Sequence, residues 1–272
     1  MSSSNSTTSQ IPAEKPDRGS LPGTRPEGTR DEREASTRVR EMFSRIAPSY
    51  DFLNHLLTLS LDRLWRGSTA KRFAEILARP DARALDLCCG TGDLTFALER
   101  RARQAAASGT AGASIFGADF ALPMLDRARG KASRSHSRAA FLSADALSLP
   151  FASDSFDLVT AAWGFRNLAN YSAGLVEIYR VLRRGGQIGI LDCCEPQPGI
   201  TSAAFRFYFR RVLPMIGGTI SGSREAYQYL PASVSKFLRP DELSASMKSA
   251  GFKDVRYELW NLGTIALHIG TK

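Results

Sequence analysis

The chain has 272 residues, 43% of them hydrophobic, and a formal net charge of +9. That length carries one large domain or two small ones, with enough apolar residues for a sizeable core. No run approaches the roughly 18–20 apolar residues of a membrane-spanning helix, and Met1 to Gln10 lack the apolar centre of a secretory signal, so a cytoplasmic protein is expected.

Residues 1–36 are rich in Ser, Thr, Pro, Gly and mixed charges. Such a segment buries too little surface to offset its ordering entropy, and it reads as a disordered tail before a domain over 37–272. Order is expected to begin near Thr37. Within 37–80, Val39, Met42, Phe43 and Ile46 have helical spacing, and Pro48 is expected to break that helix. A second helical pattern follows Asp51, and a third runs from Asp62 to Ala78. The first strand, Arg83 to Leu87, feeds a glycine-bearing turn and a helix starting near Asp93.

Ser114–Asp119 is predicted as a second strand and Ala140–Asp145 as a third, each ending in a carboxylate, and Phe156–Ala162 as a fourth. A helix is predicted over Ala173–Leu182, stopped by Arg183-Arg184-Gly185-Gly186, with a fifth strand from Gln187 to Asp192. Residues 196–240 break the alternation and read as a substrate-covering helical insertion, with an aromatic-basic helix candidate at Ala203–Leu213. Asp241–Ala250 then forms a helix, and Val255–Trp260 with Ile265–Ile269 an antiparallel hairpin. The alternation predicts an α/β fold: a doubly wound, Rossmann-like, mostly parallel sheet of seven strands, with N-terminal helices.

The turn Asp86 to Asp93 has glycines at Gly90 and Gly92 but neither G-x-G-x-x-G nor a P-loop pattern. Carboxylates at both ends would repel a diphosphate and suit a cationic ligand; S-adenosylmethionine carries a sulfonium and an ammonium. Asp119 is placed to accept ribose hydroxyls, and Asp145 with the Ala146 N–H to read an adenine edge. Cys88-Cys89 and Cys193-Cys194 fit no zinc spacing; no metal is expected, and the thiols read as small core residues. The basic residues are scattered and no nucleic-acid module accompanies them, so no nucleic acid is expected.

The order LDLCCGTGD, GADF, SADALSLPF, SFDLVTAAWGFRNL, EIYRVLRRGGQIGILD and a C-terminal hairpin resembles the class I methyltransferases. More narrowly, Tyr50-Asp51-Phe52-Leu53-Asn54, Asp154 to Asp157, Gly164-Phe165-Arg166-Asn167 and Tyr227-Gln228-Tyr229-Leu230 resemble the quinone-biosynthesis C-methyltransferases, over about residues 38–272. The resemblance implies an S-adenosylmethionine-dependent enzyme that methylates a ring carbon of demethylmenaquinol or of the matching ubiquinone precursor. It places Thr91, Asp119, Asp145 and Ala146 at the cofactor, beside Asp86, Gly90 and Gly92 as read from the turn itself. Arg166, Asn167 and Tyr50 then serve the chemistry, with Arg166 stabilising a phenolate, Asn167 orienting it and Tyr50 as lid or base. Asn54, His55, Tyr227 and Tyr229 line the acceptor pocket. The departure is Ala162, where relatives often have serine.

Other readings stay open on sequence: another lipophilic or phenolic acceptor, or an RNA- or protein-binding module on the same scaffold. A lipophilic acceptor also brings a peripheral contact at the inner face of the membrane into the expectation, and a homodimer is compatible with it.

Overall fold

Side chains along Arg83–Leu87 (β1) alternate between two layers: Ala84 joins one hydrophobic cluster, while Leu85 and Leu87 join another. A strand buried on both faces belongs in the middle of a helix-covered parallel sheet. The computed structural model describes residues 23–26, 28–106, 111–196 and 224–272, except for the side chains at positions 57, 224–228 and 230. The sheet also contains β2 (Ser114–Asp119), β3 (Ala140–Ser143), β4 (Phe156–Ala162), β5 (Leu182–Cys193), β6 (Lys253–Trp260) and β7 (Ile265–Thr271).

Its strand order is β3-β2-β1-β4-β5-β7-β6. All neighbours are parallel except β7, which runs antiparallel to both β5 and β6. The order reverses direction between β1 and β4, and the crevice beyond the carboxyl ends of such a pair is where open α/β sheets bind ligands. Seven strands with the expected closing hairpin match the sequence expectation.

Helices α2 (Leu61–Arg72), α3 (Ala74–Leu77) and α4 (Asp93–Ala105) cover one face through Ala70, Phe73, Leu77, Leu94 and Leu98. Helix α6 (Tyr171–Val181) covers the other face with Leu175 and Ile178, as does α8 (Pro240–Ser249) with Leu243 and Met247; α7 is Arg224–Lys236. Each fully buried Leu or Ile in these layers contributes about 1.5–3 kcal/mol.

The N-terminal helix differs most from expectation. Helix α1 runs unbroken from Glu32 to Leu57, through Pro48, and starts earlier than Thr37 because Asp31 accepts the Glu34 N–H as its cap. Proline removes one helical hydrogen bond. The helix continues because Met42, Ile46 and Ala47 before it and Leu53 after it bury in one cluster with Ala121 and Met124, the latter in α5 (Leu122–Ser135), while Pro48 stays exposed. Order extends further back: Gly23 and Thr24 donate backbone hydrogen bonds to Ala169 and Leu168.

Other boundaries shift. The helix expected over 62–78 is two helices, joined at Phe73. Strand β3 ends at Ser143, two residues before Asp145. Helix α6 ends at Val181, not at the glycines: Leu182 is already extended, and Gly185 (φ +77) sits in β5, its N–H on the Lys272 carbonyl. The tail at 1–22, most of the 196–240 insertion and the Ala203–Leu213 candidate lie outside the described residues.

Candidate active site

Strands β1 and β4 both end in backbone that ordinary residues avoid. Cys88 (φ 55) and Trp163 (φ 54) are left-handed without being glycine. Such conformations persist where surrounding structure over-determines them, and they concentrate at functional sites. Packing here explains the constraint: a Cβ on Gly164 would sit 2.2 Å from the Cys88 Cβ, so the two strand ends meet only through a glycine. A partly open cavity lies beside them. Its wall includes Tyr50, Cys88, Gly90, Asp119, Asp145, Ala146, Ala162, Trp163 and Asn167.

The Asp119 carboxylate is held rigidly. Its two oxygens accept the Gly90 and Ala121 N–H groups, each at 2.9 Å. Burial raises its pKa, and the backbone amides of Ala121, Gly90 and Phe120 oppose that rise. A carboxylate has about four acceptor sites, so lone pairs remain for a ligand. Asp145 is exposed at the cavity rim and orders its own loop by accepting the Leu147 N–H at 2.9 Å; Ala146 is buried beside it.

Several residues expected at the cofactor lie off the cavity wall. Asp86 is only 1% exposed, is not part of the cavity wall, and accepts the hydroxyls of Thr95 (2.6 Å) and Thr160 (3.3 Å). It pins the start of α4 to β4, and burial pushes its carboxyl up to about 7. Gly92 (φ +87) precedes α4, where a Cβ would meet Phe96 at 2.9 Å and Phe141 at 3.1 Å. Its role is in the turn; Gly90 alone of the two glycines faces the cavity. Thr91 is buried off the wall, donating to Asp51 of α1 and accepting from Lys131 Nζ at 3.0 Å. Nor is Asp93 an open anionic site: Lys131 lies at 2.7 Å and Arg66 at 3.2 Å. Burial alone would raise its pKa, but these cations lower it.

The acceptor-side residues divide similarly. Arg166, 5% exposed, lies behind the wall, with Nη1 donating to Asp192 (2.6 Å) and to the Trp163 carbonyl (2.7 Å). Burial disfavours its charge, but Asp192, with Cys193 and Tyr50, raises the pKa overall, so the guanidinium stays cationic. Its Nε is buried with no hydrogen-bond partner among the described residues. Asn167 faces the cavity, donates to the Trp163 carbonyl at 3.2 Å and accepts the Tyr229 hydroxyl at 3.2 Å. Tyr50 closes the cavity from α1 with its ring edge-on to Phe43, and burial raises its phenol pKa, so it stays protonated at neutral pH. Asn54, one turn on, bonds the Tyr50 side chain instead of lining the cavity. His55 is also off the wall, with Nδ1 at 2.8 Å from Asp62. Tyr229 lines an adjoining groove with Met42. The Tyr227 side chain is outside the described residues.

Sequence reasoning missed Asp192, Arg66, Lys131 and Trp163. Arg66 carried one signal, an i,i+4 pairing with Asp62 that reads as an ordinary helix salt bridge. His55, Asp62 and Asp93 bring ligand atoms within 4.8 Å of one another, but Arg66 and Lys131 already neutralise the carboxylates.

Comparison with known proteins fits this geometry. The profile of the ubiE/COQ5 methyltransferase family matches residues 31–272. The demethylmenaquinone methyltransferase of Thermus thermophilus is 47% identical over 232 residues, covering 85% of this chain and 100% of that protein. The protein named ubiquinone/menaquinone biosynthesis C-methyltransferase UbiE in Geotalea daltonii is 39% identical over 241 residues, covering 88% and 98%. Among solved structures, a Thermotoga maritima S-adenosylmethionine-dependent methyltransferase superposes with TM-score 0.58 at 17% identity, covering 86% of this chain and 99% of that one. The [4+2]-cyclase SpnF gives 0.56 at 17% identity, covering 93% and 99%. Neighbours of such different reaction show the fold alone.

Proposed function

This chain belongs to the ubiE/COQ5 methyltransferase family, and from that premise we propose that it transfers a methyl group from S-adenosylmethionine to a ring carbon of demethylmenaquinol, giving menaquinol. The observation that carries this reading is the convergence at one cavity of the nucleoside-side residues Gly90, Asp119, Asp145 and Ala146 with the acceptor-side residues Tyr50, Trp163 and Asn167, backed by Arg166.

The residues present fit S-adenosylmethionine. Asp119, with its oxygens fixed by two amides, suits a ribose diol, and Asp145 with the Ala146 N–H suits an adenine edge. When bound, the cofactor supplies an electrophilic methyl group on a sulfonium. The protein's own contribution is positioning and electrostatics. A ring carbon becomes nucleophilic when its phenol gives up its proton to solvent, the Arg166 cation, held by Asp192, stabilises that phenolate, and the ring C–H proton leaves to solvent as the methylated ring regains aromaticity. Its spare Nε, buried behind the wall, is the donor for a water bridging to that oxygen. Asn167, fixed between the Trp163 carbonyl and the Tyr229 hydroxyl, orients the ring. Tyr50, protonated, acts as lid and hydrogen-bond donor; burial argues against it as the base. Asp86, Thr91 and Gly92 support the cofactor by shaping the turn.

An acceptor with an isoprenoid tail resides in the bilayer, so peripheral contact with the membrane's inner face belongs to this reading; no described helix is long and apolar enough to cross a membrane. The test is methyl transfer to demethylmenaquinol and to the reduced ubiquinone precursor, with Arg166→Ala beside the parent. Turnover of demethylmenaquinol that collapses in the variant supports the proposal. Turnover of only another phenol refutes the acceptor assignment, and parental turnover in Arg166→Ala removes it from the chemistry.

A further inference from the structure

The cofactor assigned above carries a carboxylate at its methionyl end as well as the sulfonium and ammonium, and a buried carboxylate needs a cation. The methionyl end would lie by the glycine turn, where the described cations are Lys131, Arg66 and, if protonated, His55. Lys131 is saturated: its three donors match three acceptors, Thr91 Oγ1 (3.0 Å), Asp93 Oδ1 (2.7 Å) and Asp51 Oδ2 (2.7 Å). His55 spends Nδ1 on Asp62 and holds Nε2 3.8 Å from Asp93.

Arg66 is different. Its contacts to Asp62 and Asp93 (3.2 Å) both use one terminal nitrogen, Nη1. A guanidinium has five donors in a planar fork, matched to a carboxylate. The group is 9% exposed at the side chain and lies behind the wall, not on it, its Cζ 4.8 Å from the centroid of the Trp163 ring that does line the cavity, and it acts electrostatically on both Tyr50 and Asp86. Among the described residues Arg166 is the remaining buried cation nearby, but Asp192 and the Trp163 carbonyl hold it on the acceptor side.

We infer that Arg66 is the residue that receives the carboxylate of S-adenosylmethionine, with Asp62 and Asp93 holding its fork in place and Trp163 supporting its plane. The inference rests on the cofactor reading given above. It makes Arg66 a specificity determinant: it selects a ligand with a carboxylate over the same sulfonium without one. The bracketing acids then orient a cation rather than meeting the sulfonium themselves.

The test is equilibrium binding by calorimetry, comparing S-adenosylmethionine with decarboxylated S-adenosylmethionine. The parent is expected to prefer the carboxylated ligand by about tenfold to a hundredfold, the worth of a charge-assisted pair. Arg66→Gln should lose that preference by weakening only the carboxylated ligand, whereas Arg166→Gln should keep it. If Arg66→Gln does not fold, as judged by thermal unfolding, Arg66→Lys carries the test: it keeps a cation beside Asp62 and Asp93 but gives up the fork, and the preference should fall about threefold or more. Equal weakening of both ligands in Arg66→Gln, a parental preference in either Arg66 variant, or loss of preference in Arg166→Gln would overturn the assignment. The parent's affinity for S-adenosylmethionine itself tests the cofactor reading, and the ratio between ligands tests Arg66.

Discussion

Replacing Asp86 by asparagine should make the stability of this protein less sensitive to pH. Asp86 is 1% exposed, and burial pushes its carboxyl from 3.8 up to about 7 despite the hydroxyls of Thr95 and Thr160. Unfolded, it titrates in the ordinary carboxylate range, near ~3.9. Between these values the folded protein keeps a proton that the unfolded chain has released. The contribution is therefore fully present below about pH 4 and is lost as pH rises through about 7. The span is worth about 4 kcal/mol, a large share of the roughly 5–15 kcal/mol that holds a domain together. Asparagine has the same shape, can accept from Thr95, and has no proton to lose. Urea denaturation from about pH 5 to about pH 9 should show the parent losing stability relative to Asp86→Asn as pH rises. A parent-minus-variant difference that stays constant across that range would refute a buried, proton-holding Asp86.

The other predictions concern the site and its frame. Asp119→Ala should weaken S-adenosylmethionine binding about 100-fold, the loss of two charge-assisted hydrogen bonds to a ribose; an unchanged dissociation constant would undo the ribose assignment. Arg166→Ala should lower kcat by about 100- to 1,000-fold while leaving cofactor affinity within about twofold, and a defect confined to affinity would contradict its acceptor-side role. Gly164→Ala should cost about 2–4 kcal/mol, because the added methyl falls 2.2 Å from the Cys88 Cβ; a parental Tm would show that the strand ends are not locked together.

What the sequence disclosed follows from periodicity. β1 alternates between two cores, β4 does so only from Leu158 onward, after a register shift at Phe156, and the carboxylates at Asp119 and Asp145 fall at one edge of the sheet because strand ends share a direction. Pro48 misled because local breaking propensity lost to burial on both sides of it, through Met42, Ile46 and Leu53. The glycines at 185–186 misled because β5 needs them, not α6. At the site, Asp86 and Asp93 looked like a matched pair of free carboxylates. Their partners, Thr160 from β4 and Arg66 and Lys131 from α2 and α5, are distant in sequence, and no local pattern announces them. Tyr50 and Arg166 were legible only through resemblance, since a buried aromatic and an arginine after a strand carry no chemical signature of their own.

The central claim is that a methyl group moves from S-adenosylmethionine to a ring carbon of demethylmenaquinol. The most direct measurement is an anaerobic incubation of the full chain with deuteromethyl S-adenosylmethionine and demethylmenaquinol, with the product resolved by mass spectrometry and NMR. The account predicts a deuterated methyl on the quinone ring carbon, in equal amount to the S-adenosylhomocysteine released. A deuterated methyl ether on oxygen, or no transfer from a parent that binds the cofactor, would contradict it.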